Sequence, residues 1–154
     1  MCMTYLRDSP THVLRQELIF GAAIRDTLLH NPPRIVDLAC GRGGDIGRFA
    51  RAIGKPFDYV GIDVSANQIS AARIREKNGD WPAATRWAVA DAFGPETISA
   101  IASMGCGSQF DVVSIQMALH YAAESEARMA SAIDNAAALC KPGAAVVVLL
   151  KYRS

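Results

Sequence analysis

The feature that most constrains the fold is a regular alternation between short apolar runs and longer stretches with helical periodicity. The short runs are rich in β-branched residues and are mostly apolar at successive positions, which is typical of strands buried on both faces of a sheet. Strands that alternate with helices predict a parallel sheet covered by crossover helices. The predicted strands cover residues 34–39, 57–63, 85–90, 110–116 and 144–151.

Helices are predicted in the intervals between these strands, and a further helix precedes the first strand. Ser65, followed three residues later by Gln68, forms a capping-box pattern at the start of one of them. Asn78 and Gly79 predict that this helix ends in a left-handed residue. Lys141-Pro142-Gly143 predicts a turn into the last strand. The predicted helices cover residues 10–30, 44–53, 66–77, 95–104 and 124–140.

Length and composition predict one globular domain. The chain has 154 residues, of which 51% are hydrophobic and 20% are charged, and these values exclude a disordered polyelectrolyte. We expect residues 1–33 to be a helical lead-in and residues 34–154 to be the ligand-binding core. The formal net charge is only +1, so binding to a polyanion would require a local basic patch.

Localisation and redox state also follow from composition. No apolar run approaches the roughly 20 residues that a membrane-spanning helix requires, and the first residues lack the apolar stretch of a secretory signal. The four cysteines are widely spaced, without the clustering of a metal site or a disulfide scaffold. These features predict an intracellular protein with reduced thiols, no metal site and no membrane contact.

The first predicted strand runs into a glycine-rich loop, residues 37–45 with the sequence DLACGRGGD. A loop of this kind between a buried strand and a helix allows close approach to the backbone and offers amide groups at the helix N-terminus. Asp63 ends the second strand, where a doubly wound fold places a carboxylate to accept hydrogen bonds from ribose hydroxyls. Position 46 is Ile instead of the glycine of a dinucleotide motif. The pattern therefore favours an adenosyl-type cofactor over a nicotinamide dinucleotide.

Asp37, Asp63 and Asp91 lie at the carboxyl ends of three successive predicted strands. This pattern resembles that of the S-adenosylmethionine-dependent, Rossmann-like methyltransferases. Within that class, the chain is similar to the mRNA cap guanine-N7 methyltransferases over about residues 5–150. The family has a loop closely related to residues 37–45, usually with Gly at the position of Ala39.

The resemblance continues after the fourth predicted strand. The family carries a Gln-x-x-x-His-Tyr stretch there, which this chain has as residues 116–121. Upstream, residues 5–8 and 15–19 resemble a family segment that contains a lysine close to the methionine carboxylate. The glycine loop and the His-Tyr pair together are more specific than either motif alone.

The resemblance implies a Rossmann-like, doubly wound α/β fold with a mainly parallel sheet of about five strands. It also implies S-adenosylmethionine as the cofactor, and the capped GpppN end of mRNA as the substrate and RNA partner. By resemblance, the methionyl end of the cofactor would be held by Arg15, Asp37, Gly41 and Asp45. Asp63 would bind the ribose, Asp91 the adenine amino group, and Gln116 would lie near the transferable methyl group. His120 and Tyr121 would contact the cap guanosine. Arg42 begins a group of basic residues around the first crossover helix, with Arg48, Arg51 and Lys55, and this group would contact the triphosphate bridge of the cap.

Methylation of guanine N7 needs no base, because N7 carries an unprotonated lone pair. The protein must instead align N7, methyl and sulfur and exclude water, and positioning of this kind contributes roughly 7–11 kcal/mol. Preorganised electrostatics add to this contribution. We therefore assign no chemical acid or base to any residue.

Alternative interpretations stay open for single residues and for the whole chain. His120 could be a hydrogen-bonded core histidine, Tyr121 a packing aromatic, and the arginines a solvated helix face. A small-molecule methyltransferase of the same fold and a non-catalytic methyltransferase-like partner module are alternative functions. A nicotinamide dehydrogenase is less compatible with the loop.

Methyltransferases of this fold usually add an antiparallel strand pair after the fifth strand, and this chain lacks it. In the family's strand order, residues 144–150 would then form an apolar open edge. We expect the sequence to be part of a longer polypeptide, or to be completed by a partner chain or by self-association through this edge. Family residues that read the guanine edge would lie in the absent region. The nucleus, the cytoplasm and a viral factory are all compatible locations.

Overall fold

A computed structural model describes residues 21, 22, 24 and 31–150 of the chain. Residues 31–150 contain a five-stranded sheet with the strand order β3-β2-β1-β4-β5, and each pairing in it is parallel. The order grows outward from β1 in both directions, as in a doubly wound sheet. The predicted doubly wound α/β fold is confirmed. The strands are β1 (Arg34–Leu38), β2 (Phe57–Asp63), β3 (Ala83–Val89), β4 (Phe110–Gln116) and β5 (Cys140–Leu149).

Helices connect successive strands within this part of the chain. Of the predicted helix at 10–30, the structure describes only residues 21, 22 and 24, which are helical. No helix among the described residues is long and apolar enough to cross a bilayer. The connecting helices are α1 (Ile46–Ile53), α2 (Ala66–Asn78), α3 (Thr97–Ser103) and α4 (Glu126–Leu139), and a 3-10 helix covers Leu119–Glu124.

The sheet is buried on both faces by two apolar layers. On one face, Ile46 and Phe49 of α1 pack in the same layer as Ile35 of β1. On the other face, Ile101 of α3 packs in the same layer as Val36 of β1. Because neighbouring strand residues point to opposite faces, burial on both sides explains why the strands are apolar at successive positions.

The end of α2 differs from the prediction of a left-handed stop. Gly79 has φ −100° and ψ 149°, which is extended backbone. A Cβ at Gly79 would lie 2.6 Å from a ring carbon of Trp81. The glycine is therefore needed because the indole ring packs directly against the backbone, and the prediction of a positive φ is wrong.

The predicted turn at 141–143 is also wrong, because β5 begins at Cys140, directly after α4. The register changes from Phe110 opposite Cys140 to Val112 opposite Ala145, so the intervening residues of β5 form a bulge. The buried carboxylate of Asp111 accepts a charged hydrogen bond from Lys141 in this bulge. The ion pair stabilises an irregular strand where the sequence pattern suggested a turn.

Strand β5 lies at one edge of the sheet and pairs with β4 on its inner side. Val147 and Leu149 of β5 are buried, whereas Val146 and Val148 are half-buried. The predicted position of this apolar strand at the sheet edge is thus observed among the described strands. Association of another chain with this edge stays a prediction.

Candidate functional site

The carboxyl ends of the central strands bring several predicted residues to one edge of the sheet. Asp37 lies in β1, Asp63 ends β2 and Gln116 ends β4. Asp91 follows β3 by two residues. In open parallel sheets, ligands bind in the crevice outside this edge.

The glycine-rich loop between β1 and α1 depends on residues with positive φ. Ala39, Gly41 and Gly43 have φ values of 60°, 54° and 68°. A Cβ at Gly43 would lie 2.8 Å from the indole of Trp87, so a larger residue would clash there. The loop therefore packs closely against the Trp87 side chain of β3.

Asp63 connects this loop to the start of α2. One carboxylate oxygen accepts a hydrogen bond from the Gly41 amide at 2.9 Å, and the other accepts one from the Ser65 amide at 2.9 Å. Each carboxylate oxygen can accept a second hydrogen bond. Asp63 is half-buried, so it can orient the loop and still accept hydrogen bonds from a ligand.

Asp37 is fully buried, and its two oxygens differ. Oδ2 accepts a hydrogen bond of 2.6 Å from the Tyr59 hydroxyl, whereas Oδ1 has no hydrogen-bond partner among the described residues. Burial and, to a smaller extent, the negative charge of Asp45 raise the pKa of Asp37 to about 8, although the nearby hydroxyls of Tyr59 and Ser114 oppose the shift. An unsatisfied buried acceptor costs about 1–3 kcal/mol. Such a group is typical of a binding site rather than of a core optimised for stability.

Asp45 directly precedes α1 and is almost completely buried. Its carboxylate forms an ion pair with Arg48, one turn along α1. Asp45 therefore ends the glycine-rich loop, although the predicted helix at 44–53 included it. The structure also adds Arg48 as the partner that compensates its charge.

Asp91 has a partner that the sequence did not reveal. The Arg128 guanidinium donates to both of its carboxylate oxygens, at 2.8 and 3.2 Å, and the Phe93 amide donates to it at 3.0 Å. The Arg128 hydrogen bonds, more than the other groups nearby, hold the pKa of Asp91 below its usual range. Arg128 lies in the first turn of α4, where its amide donates to the capping hydroxyl of Ser125. The Ser125 side chain caps α4, but no local sequence signal links Arg128 to a carboxylate 37 residues away.

The segment after β4 carries the predicted His-Tyr pair on its surface. Met117 has φ 58°, and the chain then enters the 3-10 helix at 119–124. The rings of His120 and Tyr121 lie 4.0 Å apart between centroids, and Tyr121 is 62% exposed. His120 is also exposed, so the interpretation of it as a core histidine is wrong. The pair forms an accessible aromatic surface at the carboxyl end of β4.

Gln116 at the end of β4 has a structural role as well. Its amide nitrogen donates to the Ser114 hydroxyl at 3.1 Å and to the Val147 carbonyl at 3.2 Å. These bonds hold the side chain at the junction of β4 and β5. Its predicted place near the transferable methyl stays a prediction.

Arg42 and Arg15 are the remaining predicted site residues. Arg42 is exposed, and its Nε donates to Oε1 of Gln68 on α2 at 3.2 Å. The backbone amide of Gln68 donates to the Ser65 hydroxyl at 3.4 Å, which is one of the two hydrogen bonds of a capping box. The Gln68 side chain instead accepts the hydrogen bond from Arg42. Arg15 lies outside the described residues.

Ala39 offers a test of the loop geometry, because a non-glycine residue with φ near 60° is strained by about 1–2 kcal/mol. We expect Ala39→Gly to raise the free energy of unfolding by about 0.5–1 kcal/mol, after the larger unfolded-state entropy of glycine is subtracted. Thermal denaturation would show this as a rise of a few degrees. Ala88→Gly is the matched control, since Ala88 packs against the same core from regular strand β3, and it should lower stability. A loss of stability in both variants would contradict the strain assigned to Ala39.

Known proteins share sequence similarity with most of this chain. Residues 14–150 match the family model of the mRNA (guanine-N(7))-methyltransferase domain. The mRNA cap guanine-N(7) methyltransferase 1 of Arabidopsis thaliana is 35% identical over 119 residues, which cover 71% of this chain and 30% of that protein. The mRNA cap guanine-N(7) methyltransferase of Candida glabrata is 34% identical over 148 residues, which cover 91% of this chain and 34% of that protein.

A solved structure supports the fold. The N-methyltransferase NodS from Bradyrhizobium japonicum superimposes with a TM-score of 0.63 at 23% identity, covering 93% of this chain and 70% of that one. The curated relatives are much longer than the matched region: the chain spans about a third of their length.

Proposed function

Because the chain belongs to the mRNA (guanine-N(7))-methyltransferase domain family, we propose that it is the cofactor-binding core of an enzyme that methylates N7 of the mRNA cap guanosine. The methyl donor in this proposal is S-adenosylmethionine, and the substrate is the capped GpppN end of RNA. The observation that carries the proposal is the unpartnered, fully buried Oδ1 of Asp37 beside the glycine-rich loop.

The residues at the carboxyl edge suit this cofactor chemically. Asp37 Oδ1 could accept a hydrogen bond from an ammonium group, which S-adenosylmethionine carries on its methionyl end. Asp63 has acceptor capacity for ribose hydroxyls beyond its bonds to Gly41 and Ser65. Asp91, which Arg128 orients, could accept from the adenine amino group. S-adenosylmethionine would supply an electrophilic methyl group on a positively charged sulfur.

The chain's own contribution to the reaction would be positioning. Guanine N7 already presents a lone pair, so no side chain has to remove a proton. The loop at 39–45 and the side chain of Gln116 would hold the reacting groups in line and exclude water from them. Alignment of two reactants can contribute roughly 7–11 kcal/mol, which is large enough to carry the catalysis.

His120 and Tyr121 would hold the guanosine. An exposed pair of rings after β4 offers a face on which a base can stack. This substrate implies an intracellular enzyme, in the nucleus, the cytoplasm or a viral factory, where capped mRNA is made or used.

Removal of the Tyr121 ring is expected to separate cap binding from cofactor binding. Tyr121→Ala should weaken binding of the cap analogue GpppG by about 5- to 150-fold, because stacking of a base on an aromatic ring contributes about 1–3 kcal/mol. Binding of S-adenosylhomocysteine should be unchanged, since the Tyr121 side chain is mostly exposed. Calorimetric titration of the same protein sample with each ligand measures both effects.

Two controls accompany this experiment. Tyr121→Phe retains the ring and should retain cap binding, whereas Ile133→Ala removes an exposed apolar side chain from α4 and should affect neither ligand. If Tyr121→Ala binds both ligands as the unmodified chain does, the assignment of the cap to this pair is wrong. Cofactor binding without any cap binding by the unmodified chain would favour a small-molecule acceptor. Binding of neither ligand by a folded chain would favour a non-catalytic partner module.

A further inference from the structure

The side chain of Trp87 in β3 lies across the neighbouring strand. The register places Asp37 of β1, Gly61 of β2 and Trp87 of β3 side by side. A Cβ at Gly61 would lie 2.5 Å from two ring carbons of Trp87, so only the bare backbone at Gly61 leaves room for the ring. The indole therefore extends from β3 over β2, on the side of the sheet next to the glycine-rich loop.

The same ring packs against the glycine-rich loop. A Cβ at Gly43 would lie 2.8 Å from one ring carbon of Trp87 and 3.4 Å from the Cβ of Ala72 on α2. The Gly43 amide donates to the Cys40 carbonyl at 3.0 Å, which closes the turn of the loop. The indole thus contacts the turn itself, and a smaller side chain at position 87 would leave the turn without this support.

The ring also contacts the tyrosine that binds Asp37. The rings of Trp87 and Tyr59 lie 5.4 Å apart between centroids and are tilted by 58°, which is a favourable arrangement for an aromatic pair. Tyr59 is fully buried, and its hydroxyl donates to Asp37 Oδ2 at 2.6 Å. One aromatic ring therefore contacts both the loop and the hydrogen-bond donor of the Asp37 carboxyl group.

Glu76 of α2 fixes the orientation of the indole. Trp87 Nε1 donates to Glu76 Oε2 at 2.8 Å, and the Thr85 hydroxyl donates to Oε1 of the same carboxylate. Hydrogen bonds to a charged acceptor are among the stronger ones in proteins. The ring is therefore held in one orientation although it is only half-buried.

We propose that Trp87, fixed by Glu76, is a positioning residue of the cofactor site that supports both the glycine-rich loop and the hydrogen-bond donor of Asp37. The inference rests on the proposed function for the identity of the ligand. The ring acts through the loop and through Tyr59, not by contact with the reacting groups. A site that is already held in its bound geometry loses less conformational entropy on binding, so the affinity for the cofactor should depend on this ring.

Trp87→Phe keeps an apolar ring but removes the reach of the indole and its hydrogen bond to Glu76. We expect it to weaken binding of S-adenosylhomocysteine by about threefold to tenfold, because the aromatic pair and the loop contact would no longer hold the site in place. Trp81→Phe is the matched control, since it changes the other tryptophan of the chain, which packs against Gly79, and it should leave the affinity unaltered. Isothermal titration calorimetry measures the affinities, and circular dichroism shows whether each variant is folded.

The pH dependence of binding distinguishes positioning from a general loss of stability. An ammonium ligand binds the ionised carboxylate of Asp37 best, so the affinity should rise with pH to a plateau. The Tyr59 hydroxyl lowers the pKa of Asp37, and a weaker hydrogen bond would raise it, so the plateau should begin at a higher pH in Trp87→Phe than in the unmodified chain. A loss of affinity with an unshifted plateau would overturn the proposal. The variant leaves unchanged the other groups that influence the Asp37 carboxyl group or face it: Asp45, Asp63, Cys40 and Ser114.

Glu76→Ala tests the same inference without a change in the aromatic residues. It removes the acceptor of Trp87 Nε1 and should weaken binding of S-adenosylhomocysteine by about twofold to fivefold, because the loss of one hydrogen bond is only partly transmitted to the ligand. Glu76→Gln retains an acceptor oxygen and should recover most of the affinity. If Trp87→Phe does not fold, a folded Glu76→Ala variant with unaltered affinity overturns the proposal.

Hydrogen exchange of the ligand-free chain separates this inference from the proposed function, because it needs no cofactor. The hydrogen-bonded amides of Gly41 and Gly43 should exchange faster in Trp87→Phe than in the unmodified chain or in Trp81→Phe, since the loop would open more often. If these amides respond but the unmodified chain does not bind S-adenosylhomocysteine, the ring supports the loop and the methyltransferase proposal fails. If S-adenosylhomocysteine binds, then unaltered binding in folded Trp87→Phe, equal losses in the two tryptophan variants, or unchanged exchange of the loop amides would overturn the positioning proposal alone.

Discussion

Asp63→Ala is expected to weaken binding of S-adenosylhomocysteine by more than about 100-fold. The substitution would remove the acceptor for the ribose hydroxyls, and hydrogen bonds to a charged group contribute about 1.5–3 kcal/mol each. It would also leave the Gly41 and Ser65 amides without the carboxylate that holds the loop against α2. Isothermal titration calorimetry gives the affinity, and circular dichroism shows whether the variant is folded.

Two further variants make this result specific. The Asp63→Asn side chain has nearly the same shape and retains one acceptor oxygen, so this variant should bind S-adenosylhomocysteine with intermediate affinity. Asp134→Ala removes an exposed carboxylate from α4 and should have no effect. If folded Asp63→Ala binds within about threefold of the unmodified chain, Asp63 does not hold the ribose and the proposed cofactor site is wrong.

Binding of S-adenosylhomocysteine is expected to tighten by up to about 100-fold between pH 6 and pH 8. Burial raises the pKa of Asp37 to about 8, so its carboxyl group is protonated at pH 6 in the ligand-free chain. An ammonium ligand favours the ionised carboxylate and lowers this pKa, so that binding below pH 8 releases a proton. The affinity then increases by up to about tenfold per pH unit below the pKa of the ligand-free carboxyl group. Above that pKa the group is already ionised before the ligand binds, so the affinity no longer changes.

Calorimetry in two buffers of different ionisation enthalpy measures the released proton directly. Asp37→Asn still accepts the hydrogen bond from Tyr59 but cannot ionise, so it should bind weakly and without this pH dependence. Glu126→Gln changes a carboxylate on the exposed start of α4 and should leave the pH profile unaltered. An affinity of the unmodified chain that is constant from pH 6 to pH 8, with no proton released, would show that Asp37 does not meet the ammonium group.

The order and type of the described elements were predictable because their causes are local. Apolar residues at successive positions indicate strands buried on both faces, and β1, β2 and β4 have that burial pattern. The glycine-rich loop and the strand-end position of Asp63 also follow from chain order. For these features the physical cause lies in residues that are close together in the sequence, so a sequence pattern is enough to predict them.

Two boundaries could not be predicted, because their causes lie elsewhere in the chain. Gly79 ends α2 in extended backbone since the Trp81 ring packs on it, not because a left-handed residue is required. The early start of β5 and its bulge involve an ion pair between Lys141 and the buried Asp111 of β4. A turn motif alone does not reveal either contact.

The chemistry of the site has the same division. Residue types and strand ends identified Asp37, Asp63 and Asp91 as candidates from the sequence. Their ionisation and bonding depend on residues that are distant in sequence: Tyr59 binds Asp37, and Arg128 binds Asp91. Parallel strands and crossover helices bring such residues together only after the chain has folded, and burial then shifts the pKa of Asp37 upward while Arg128 shifts that of Asp91 downward. Chain order therefore determined which carboxylates lie at the carboxyl edge. Tertiary packing determined the ionisation and the hydrogen bonding of each one, because desolvation and pairing are properties of the folded surroundings.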